Sequence, residues 1–375
     1  MAARRAVRAA GTATVTARIL SDRRLTAVLG VLVGTVLLLA AAPGVVSPYW
    51  VNTMGQLAAF AILAVSLDLV WGYAGALSLG HGLYFAIGGY VVAMHLLKHG
   101  MAVTGVVPDF MQFMGWTEFP FYWAGLDRFW YAALLAVALS ALAAGVFGYV
   151  SFRSRVSGVY FSIITQALVY VAMLLMFRND TGFGGNNGMT GFSVVFGVPM
   201  TDPAVSRALA AGSIVALIAC LVGCRALVTS GFGRLVVACR DDEARLRSLG
   251  YRTLEIKLVI WCLSAVLAAL AGILYVPQVG IINPRVLSPD VSLEIAVWVA
   301  IGGRGALSGA VIGAALVNGA KFWLSTRAPD LWPFILSTLV IVVVLAFPNG
   351  LLDLGRLRPR LLGGMRAGGV GERRT

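Results

Sequence analysis

Charge is what this chain of 375 residues has least of: 12% of it is Asp, Glu, Lys or Arg, where a soluble domain carries about 25%. Histidine is rarer still, at 3, and there are 4 cysteines. No H-E-x-x-H pair, no His-x4-Asp pattern and no serine or cysteine nucleophile motif occurs, which removes the usual frameworks for hydrolysis. A membrane-embedded enzyme using His81 as base would also need a second positioned group. The G-x-x-x-x-G-K-[ST] phosphate loop is missing too, so the chain is not built to hydrolyse ATP. Gly302-Gly303-Arg304-Gly305 is glycine-rich but lacks the Lys-Ser/Thr that such a loop needs. Cys220 and Cys224 share a helix face with no histidine near them in sequence, and read as small buried apolar side chains rather than metal ligands. Nothing in the sequence asks for a cofactor.

What fills the space is apolar: 59% of the residues are hydrophobic and the mean hydropathy is +0.87. A single soluble core cannot hide that much apolar surface, because the outside of a globule must be wetted. A bilayer can, and a helix spans it with about 20 mostly apolar residues. Uncharged runs of that length occupy Ala27–Val46, Phe129–Phe152, Val156–Phe177, Leu258–Pro284 and Leu331–Leu352. Shorter or interrupted runs occupy Val51–Trp71, Ala76–Leu97, Ala208–Val228, Val291–Gly303 and Gly305–Leu324. The expected architecture is therefore an all-α, polytopic integral membrane bundle of about ten spans (nine or ten) with both termini cytoplasmic. Val291–Gly303 is short for a crossing. It is kept as a span because dropping it would put the basic C-terminal tail outside. A half-helix or re-entrant segment packed inside protein is the alternative.

The basic residues fit that arrangement. Lysine and arginine collect on cytoplasmic loops, and with ten spans 22 of the 29 basic residues fall on the inner side. The formal charge of +13 then reflects topology and contact with anionic lipid rather than nucleic-acid binding. Asp68 and Glu294 sit within or at the edge of spans. A nearby arginine is the expected partner of Asp68, and Glu294 is expected to complement a helix N-terminus. The domain plan is a basic disordered leader at 1–26, one membrane domain at 27–354 and a basic disordered tail at 355–375. The run Ala27–Val46 is longer than a signal-peptide core and is read as a retained first helix.

Three hydrophilic loops of about 30 residues exceed the usual connection length. The inner one, 229–257, reads as one amphipathic helix over Leu235–Leu249, with Leu235, Val236, Cys239, Leu246 and Leu249 partly on one side and Gly250 as its stop. Its acids Asp241, Asp242 and Glu243 argue against pure contact with anionic headgroups and for a protein partner. A stand-alone channel would have no use for it. The aromatics of Phe110–Trp123 are expected in the outer interface, as in other aromatic belts.

The inner loop resembles the coupling loop of ABC importer permeases, which docks into an ATPase subunit. GALSLGHGLYFAIGGYVVA (Gly75–Ala93), SGVYFSIITQAL (Ser157–Leu168), LSAVLAALAGILY (Leu263–Tyr275) and VAIGGRGALSGAVIGA (Val299–Ala314) resemble the LivM-type permeases of the branched-chain amino acid transport family. PDFMQFMGWTEFPFYW (Pro108–Trp123), FRNDTGFGGNNGMTGF (Phe177–Phe192) and VPQVGIINP (Val276–Pro284) are similar to the urea transporter permeases within it. The resemblance implies a bacterial inner-membrane, multi-pass, non-enzymatic subunit. It implies a second permease, two ABC ATPase subunits and a soluble substrate-binding protein as partners, and urea or a short amide as solute, with an amino acid as the alternative. It places ATPase coupling on Arg240, Asp241, Asp242, Glu243, Ala244 and Gly250.

A path for urea needs sparse polar groups that replace water without trapping the solute. Gln56, Ser78, Gly80, His81, Gln166 and Asn318 are the candidates. His81 either lines the path or holds a neighbouring carbonyl. Asn186, Asn187 and Asn283 are candidates for outer docking or gating.

Overall fold

The computed structural model describes residues 22–42, 45–116, 118–331, 334–335, 337–338 and 341–342. Most of the leader, the tail and most of the expected last span Leu331–Leu352 lie outside these residues.

Local signals explain where the helices begin. Asp22 caps α1 (Arg23–Ala41) by accepting from the Leu25 amide. Proline stands in the first turn of α2 (Pro48–Asp68), where its missing N–H costs nothing. Further along come α3 (His81–Thr104), the short α4 (Asp109–Met114), α5 (Phe129–Arg153) and α6 (Val159–Met176). An Asp202 cap followed by proline opens α7 (Pro203–Thr229). The inner loop forms α8 (Gly231–Asp241) and α9 (Glu243–Ser248), and α10 (Thr253–Val279) leads back across. A Ser288 cap with Pro289 behind it opens α11 (Pro289–Gly302), and α12 (Leu307–Arg327) follows.

Among the described residues, seven helices are long and apolar enough to cross a membrane: α1, α2, α5, α6, α7, α10 and α12. The chain is a polytopic helical membrane protein. Two expected spans differ from the rest. α11 has 14 residues, about 21 Å of helix, which is short of a crossing as the sequence implied. α3 has 24 residues but starts at His81 rather than Ala76. Ahead of it, α2 unwinds through a π-helical turn at Leu69–Tyr73, and residues 74–80 are not helical. Gly75 takes φ +77, a conformation that favours glycine. Among the described residues, strand is confined to four two-residue segments: β1 (Met189–Thr190) pairs with β4 (Ile281–Ile282), and β2 (Val194–Val195) with β3 (Val198–Pro199).

Close helix crossing organises the centre. α10 packs on α2, α3 and α5. A methyl on Gly88 would stand 2.1 Å from the Ala269 carbonyl oxygen, and one on Gly272 would stand 2.0 Å from that of Phe85. Only bare backbone fits there, which is how small residues let membrane helices associate. The α11–α12 hairpin repeats the device: a methyl on Gly302 would stand 1.9 Å from the Gly309 oxygen, and one on Gly313 would stand 2.0 Å from that of Trp298.

Two breaks meet deep in this bundle. One is residues 74–80, ahead of α3. The other follows Gly280, where the chain pairs as β4, makes a 3-10 turn at Pro284–Leu287 and opens α11. Gly82, in the first turn of α3, lies so near the second break that a methyl there would stand 3.3 Å from the Val286 carbonyl oxygen and 3.7 Å from Ser292 Oγ. His81 bonds Ser264, about 16 Å along α10 from its inner end at Thr253. The meeting point is therefore near mid-membrane.

The outer aromatic segment is not a lipid-facing belt. Trp123 and Phe110 are buried, and Trp123 packs on Phe110 and Phe119 at 5.7 and 5.0 Å between ring centres. His95 Nδ1 bonds the Leu126 carbonyl at 2.7 Å, and Lys98 donates to that of Trp123 at 3.0 Å. The segment is a cap with its own small core, tied to the outer end of α3. Among the described aromatics of the segment, Phe121 is the most exposed, at 90%.

Candidate functional site

The inner loop is two helices rather than one. Asp242 leaves the helical region and accepts from the Arg245 amide at 2.9 Å, capping α9. Aspartate competes with helix continuation in this way, and the amphipathic pattern alone hides it. Val236, Cys239 and Leu246 are buried beneath the loop, whereas Leu249 faces out at 69% exposure. Gly250 takes φ +87 and ends α9, with the Gly250 amide bonded to Arg247 and the Tyr251 amide to Leu246, a Schellman-type close.

The expected coupling residues divide in two. Asp241, Asp242, Ala244 and Gly250 are exposed, next to exposed Leu249 and Tyr251. Arg240 and Glu243 instead tie the loop to the spans. Arg240 donates from Nη1 to the Gly72 carbonyl at 2.8 Å and pairs with Asp241 at 2.9 Å. Glu243 accepts from Thr253 at 3.0 Å, from Arg247 at 3.0 Å and from Lys257. Burial raises the pKa of the Glu243 carboxyl, but the hydrogen bond and charge of Lys257, with Thr253 and Arg247, outweigh it and hold the carboxyl below its usual range.

From Gly72 the connection continues inward. Asp68 is buried, and its Oδ1 accepts from the Gly305 amide at 2.7 Å. Its partner is thus backbone, not the arginine that its position suggested; Arg304 lies over the Trp71 ring at 5.1 Å. Asp68 Oδ2 has no hydrogen-bond partner among the described residues. A methyl on Gly72 would stand 2.2 Å from Asp68 Oδ1 and 2.3 Å from the Gly305 nitrogen. The exposed loop, the π turn of α2 and the loop of the α11–α12 hairpin are therefore joined through Arg240, Gly72, Asp68 and Gly305.

Three of the expected path residues form a clamp. Ser78 Oγ accepts from the Gly80 amide at 3.0 Å and meets His81 Nδ1 at 3.2 Å. His81 Nε2 meets Ser264 Oγ at 2.6 Å, and Ser264 donates to the Ser66 carbonyl at 2.5 Å. Trp261 and Tyr84 pack edge-on to the His81 ring. Both ring nitrogens are engaged, so this geometry holds the broken segment against α10 and α2. Thr165 secures the same segment, accepting from the Leu79 amide at 3.1 Å. Gln166 is half-buried with both side-chain amide atoms unpartnered among the described residues. Gln56 is half-buried on α2.

Asn318, the remaining path candidate, is elsewhere. It is buried, donates to the Ala314 carbonyl at 2.9 Å, and lines a cavity of about 200 Å³ with Phe60, Phe85, Tyr275, Trp298, Glu294 and Lys321 among others. Phe60 packs on Tyr275 and Trp298 at 5.1 and 5.2 Å. Both Glu294 oxygens accept from Lys321 Nζ, at 3.0 and 2.8 Å. This corrects one expectation. Glu294 is in the second turn of α11, not at its start, where Asp290 stands. Lys321 is the partner of that carboxylate within the bundle. The signal was available: Lys321 is the one charge in the run Gly305–Leu324.

The outer candidates are brought close but not onto one cavity. Asn186 and Asn187 line an outer cavity of about 450 Å³ with Asp109, Gln112, Asn179 and Thr190. Asn283 lines the mid-membrane cavity and caps the 3-10 turn, accepting from the Arg285 amide at 3.1 Å. The β1–β4 pairing joins the two segments.

The family description "Branched-chain amino acid transport system / permease component" matches residues 49–345. The chain is 27% identical over 333 residues to the high-affinity branched-chain amino acid transport system permease protein LivM of Salmonella typhimurium, covering 82% of this chain and 71% of that protein. It is also 27% identical over 361 residues to LivM of Escherichia coli, covering 90% and 78%. A shorter stretch of 138 residues is 35% identical to the autoinducer 2 import system permease protein LsrC of Escherichia coli, covering 35% of this chain and 39% of that one. No solved structure matches. With nearly all of its packed region matched, the chain belongs to the family of permease components of branched-chain amino acid transport systems.

Proposed function

We propose that this permease passes urea or a short amide through an ATP-driven importer. It works with a second permease, two ATPase subunits that grip the exposed face of α8 and α9, and a soluble protein that delivers solute to the outer cap. Closure of the ATPases moves the inner loop, and the bonds from Arg240 through Gly72 and Asp68 to Gly305 carry that motion to the α11–α12 hairpin. The observation that supports a small solute is the mid-membrane cavity: at about 200 Å³ it falls below the roughly 300–1,000 Å³ of sites for larger ligands. The outer aromatic segment Pro108–Trp123, which resembles that of urea permeases, supports the same solute.

An amino acid is the second reading. Glu294 and Lys321 offer one charge of each sign inside the bundle, and LivM relatives are named for branched-chain amino acids. Uptake of radiolabelled urea and leucine separates the two, measured in cells lacking this chain and in cells with it restored. Loss of urea uptake alone, restored with the chain, supports the first reading. Loss of leucine uptake with urea intact replaces it by the second.

A further inference from the structure

The cavity around Glu294 holds more chemistry than a packing defect would. Trp298 is 2% exposed, lines the cavity, and its indole Nε1 has no hydrogen-bond partner among the described residues. Buried polar atoms are nearly always satisfied, so an orphan donor calls for an explanation. The Glu294 side chain is 6% exposed and that of Lys321 36%. Ionisable groups inside spans face the bundle interior or a water-filled cavity and mark solute paths. Here one partner is fixed deep in α11 and the other sits on a flexible stem that reaches outward.

We propose that this cavity is a solute-binding station within the permease, in which the Glu294–Lys321 pair parts to take a small dipolar solute between its two charges. The proposal rests on the permease reading above and names the groups that recognise the solute. The carboxylate accepts two N–H bonds from one edge of the solute. The ammonium donates to its oxygen, and the Trp298 N–H supplies a further donor. Phe60 and Tyr275 bound the cavity with ring surface, against which a planar solute can lie. Urea or a short amide meets these partners as a neutral molecule. A zwitterionic amino acid meets the same two charges with its ammonium and its carboxylate. When the solute leaves, the pair closes again, so neither charge is left unpaired in the bundle.

The test uses the whole transporter, reconstituted in liposomes with its second permease, ATPases and binding protein, and reads KM and kcat for ATP-driven uptake of labelled urea and leucine. Trp298→Phe removes the indole N–H with little change of shape, and is expected to raise KM at least threefold with kcat nearly held. Glu294→Gln is expected to raise KM at least tenfold, while the ATPase subunits still copurify. Should Glu294→Gln fail to assemble, Trp298→Phe decides. Assembled variants with wild-type KM overturn the station. If wild type carries leucine but not urea, and KM for leucine rises in the variants, the station stands and the urea reading falls. If wild type carries neither solute, both solute readings fail and the station falls as a site for either of them.

Discussion

Two buried carboxylates show how one bundle uses the same chemical group in different ways. Asp68 is locked into backbone: its partner is the Gly305 amide, and Gly72 presses so close that no side chain fits between them. Glu294 faces a cavity, and its partner is a flexible lysine. The first arrangement can hold one stretch of chain against another but has no room for a solute. The second can exchange its partner. A buried acid is therefore a hinge pin where its neighbours are backbone, and a receptor where they are mobile side chains beside empty space.

Breaking the inner node has the largest expected effect. Gly72→Val drives a branched side chain into Asp68 and Gly305, and overpacking of this kind costs about 1–3 kcal/mol or more. The yield of assembled transporter in mild detergent should fall by roughly tenfold. Asp68→Ala comes next: it strands the Gly305 amide, a penalty of about 1–3 kcal/mol, and should lower the thermal midpoint of the purified protein along with uptake. Glu294→Gln sharpens the contrast, because it should change the KM for solute more than that midpoint. Arg240→Ala removes one charge-assisted bond to the Gly72 carbonyl, a type that contributes about 1.5–3 kcal/mol. The ATPase subunits should still copurify, since Asp242 and Glu243 keep the loop folded, but solute moved per ATP should fall. Equal coupling in this variant would remove the Arg240 link from the mechanism.

The smallest effect is that of pH on the loop. The Glu243 carboxyl titrates lower in the folded chain than in the unfolded one. Its stabilisation is therefore complete above the unfolded value near 4.5 and is lost as pH falls through the lower folded value. A side chain about one-third exposed is partly screened, so the contribution is modest. Melting curves of the wild type from pH 6 down to about 3 should show a loss below the unfolded value that Glu243→Gln flattens.

Much of the frame was legible in the amino-acid order. Long uncharged runs gave most spans, since hydropathy and length decide them, and Ser-Pro or Asp-Pro at Ser47, Asp202 and Ser288 marked their starts. The segment Val291–Gly303 read as the weakest of the ten runs, and its helix has 14 residues. Other features depend on pairing that no local pattern carries. The turn at Asp242 is invisible to amphipathic periodicity, because a capping aspartate and a helical aspartate look alike until the Arg245 amide is placed. The cap over α3 reads as an interfacial belt until Trp123 is seen to pack on Phe110 and Phe119. Asn318 was recoverable as a path candidate, but the cavity it lines also needs Glu294 and Lys321, 27 residues apart. Gly80 and Gly82, on either side of His81, allow the broken helix there. They could not announce that Ser78 and Ser264 occupy both ring nitrogens.

The contrast between the closed His81 clamp and the open station can be measured with thiol labelling in the assembled transporter. The four native cysteines are replaced, and single cysteines are placed at Asn318 in the cavity and at Ser264 in the clamp. A small water-soluble thiol reagent should label Asn318→Cys, and saturating solute should protect it, while Ser264→Cys stays unlabelled with or without solute. Labelling of Ser264→Cys with solute protection, and none at Asn318→Cys, would put the path through the His81 clamp and contradict the account.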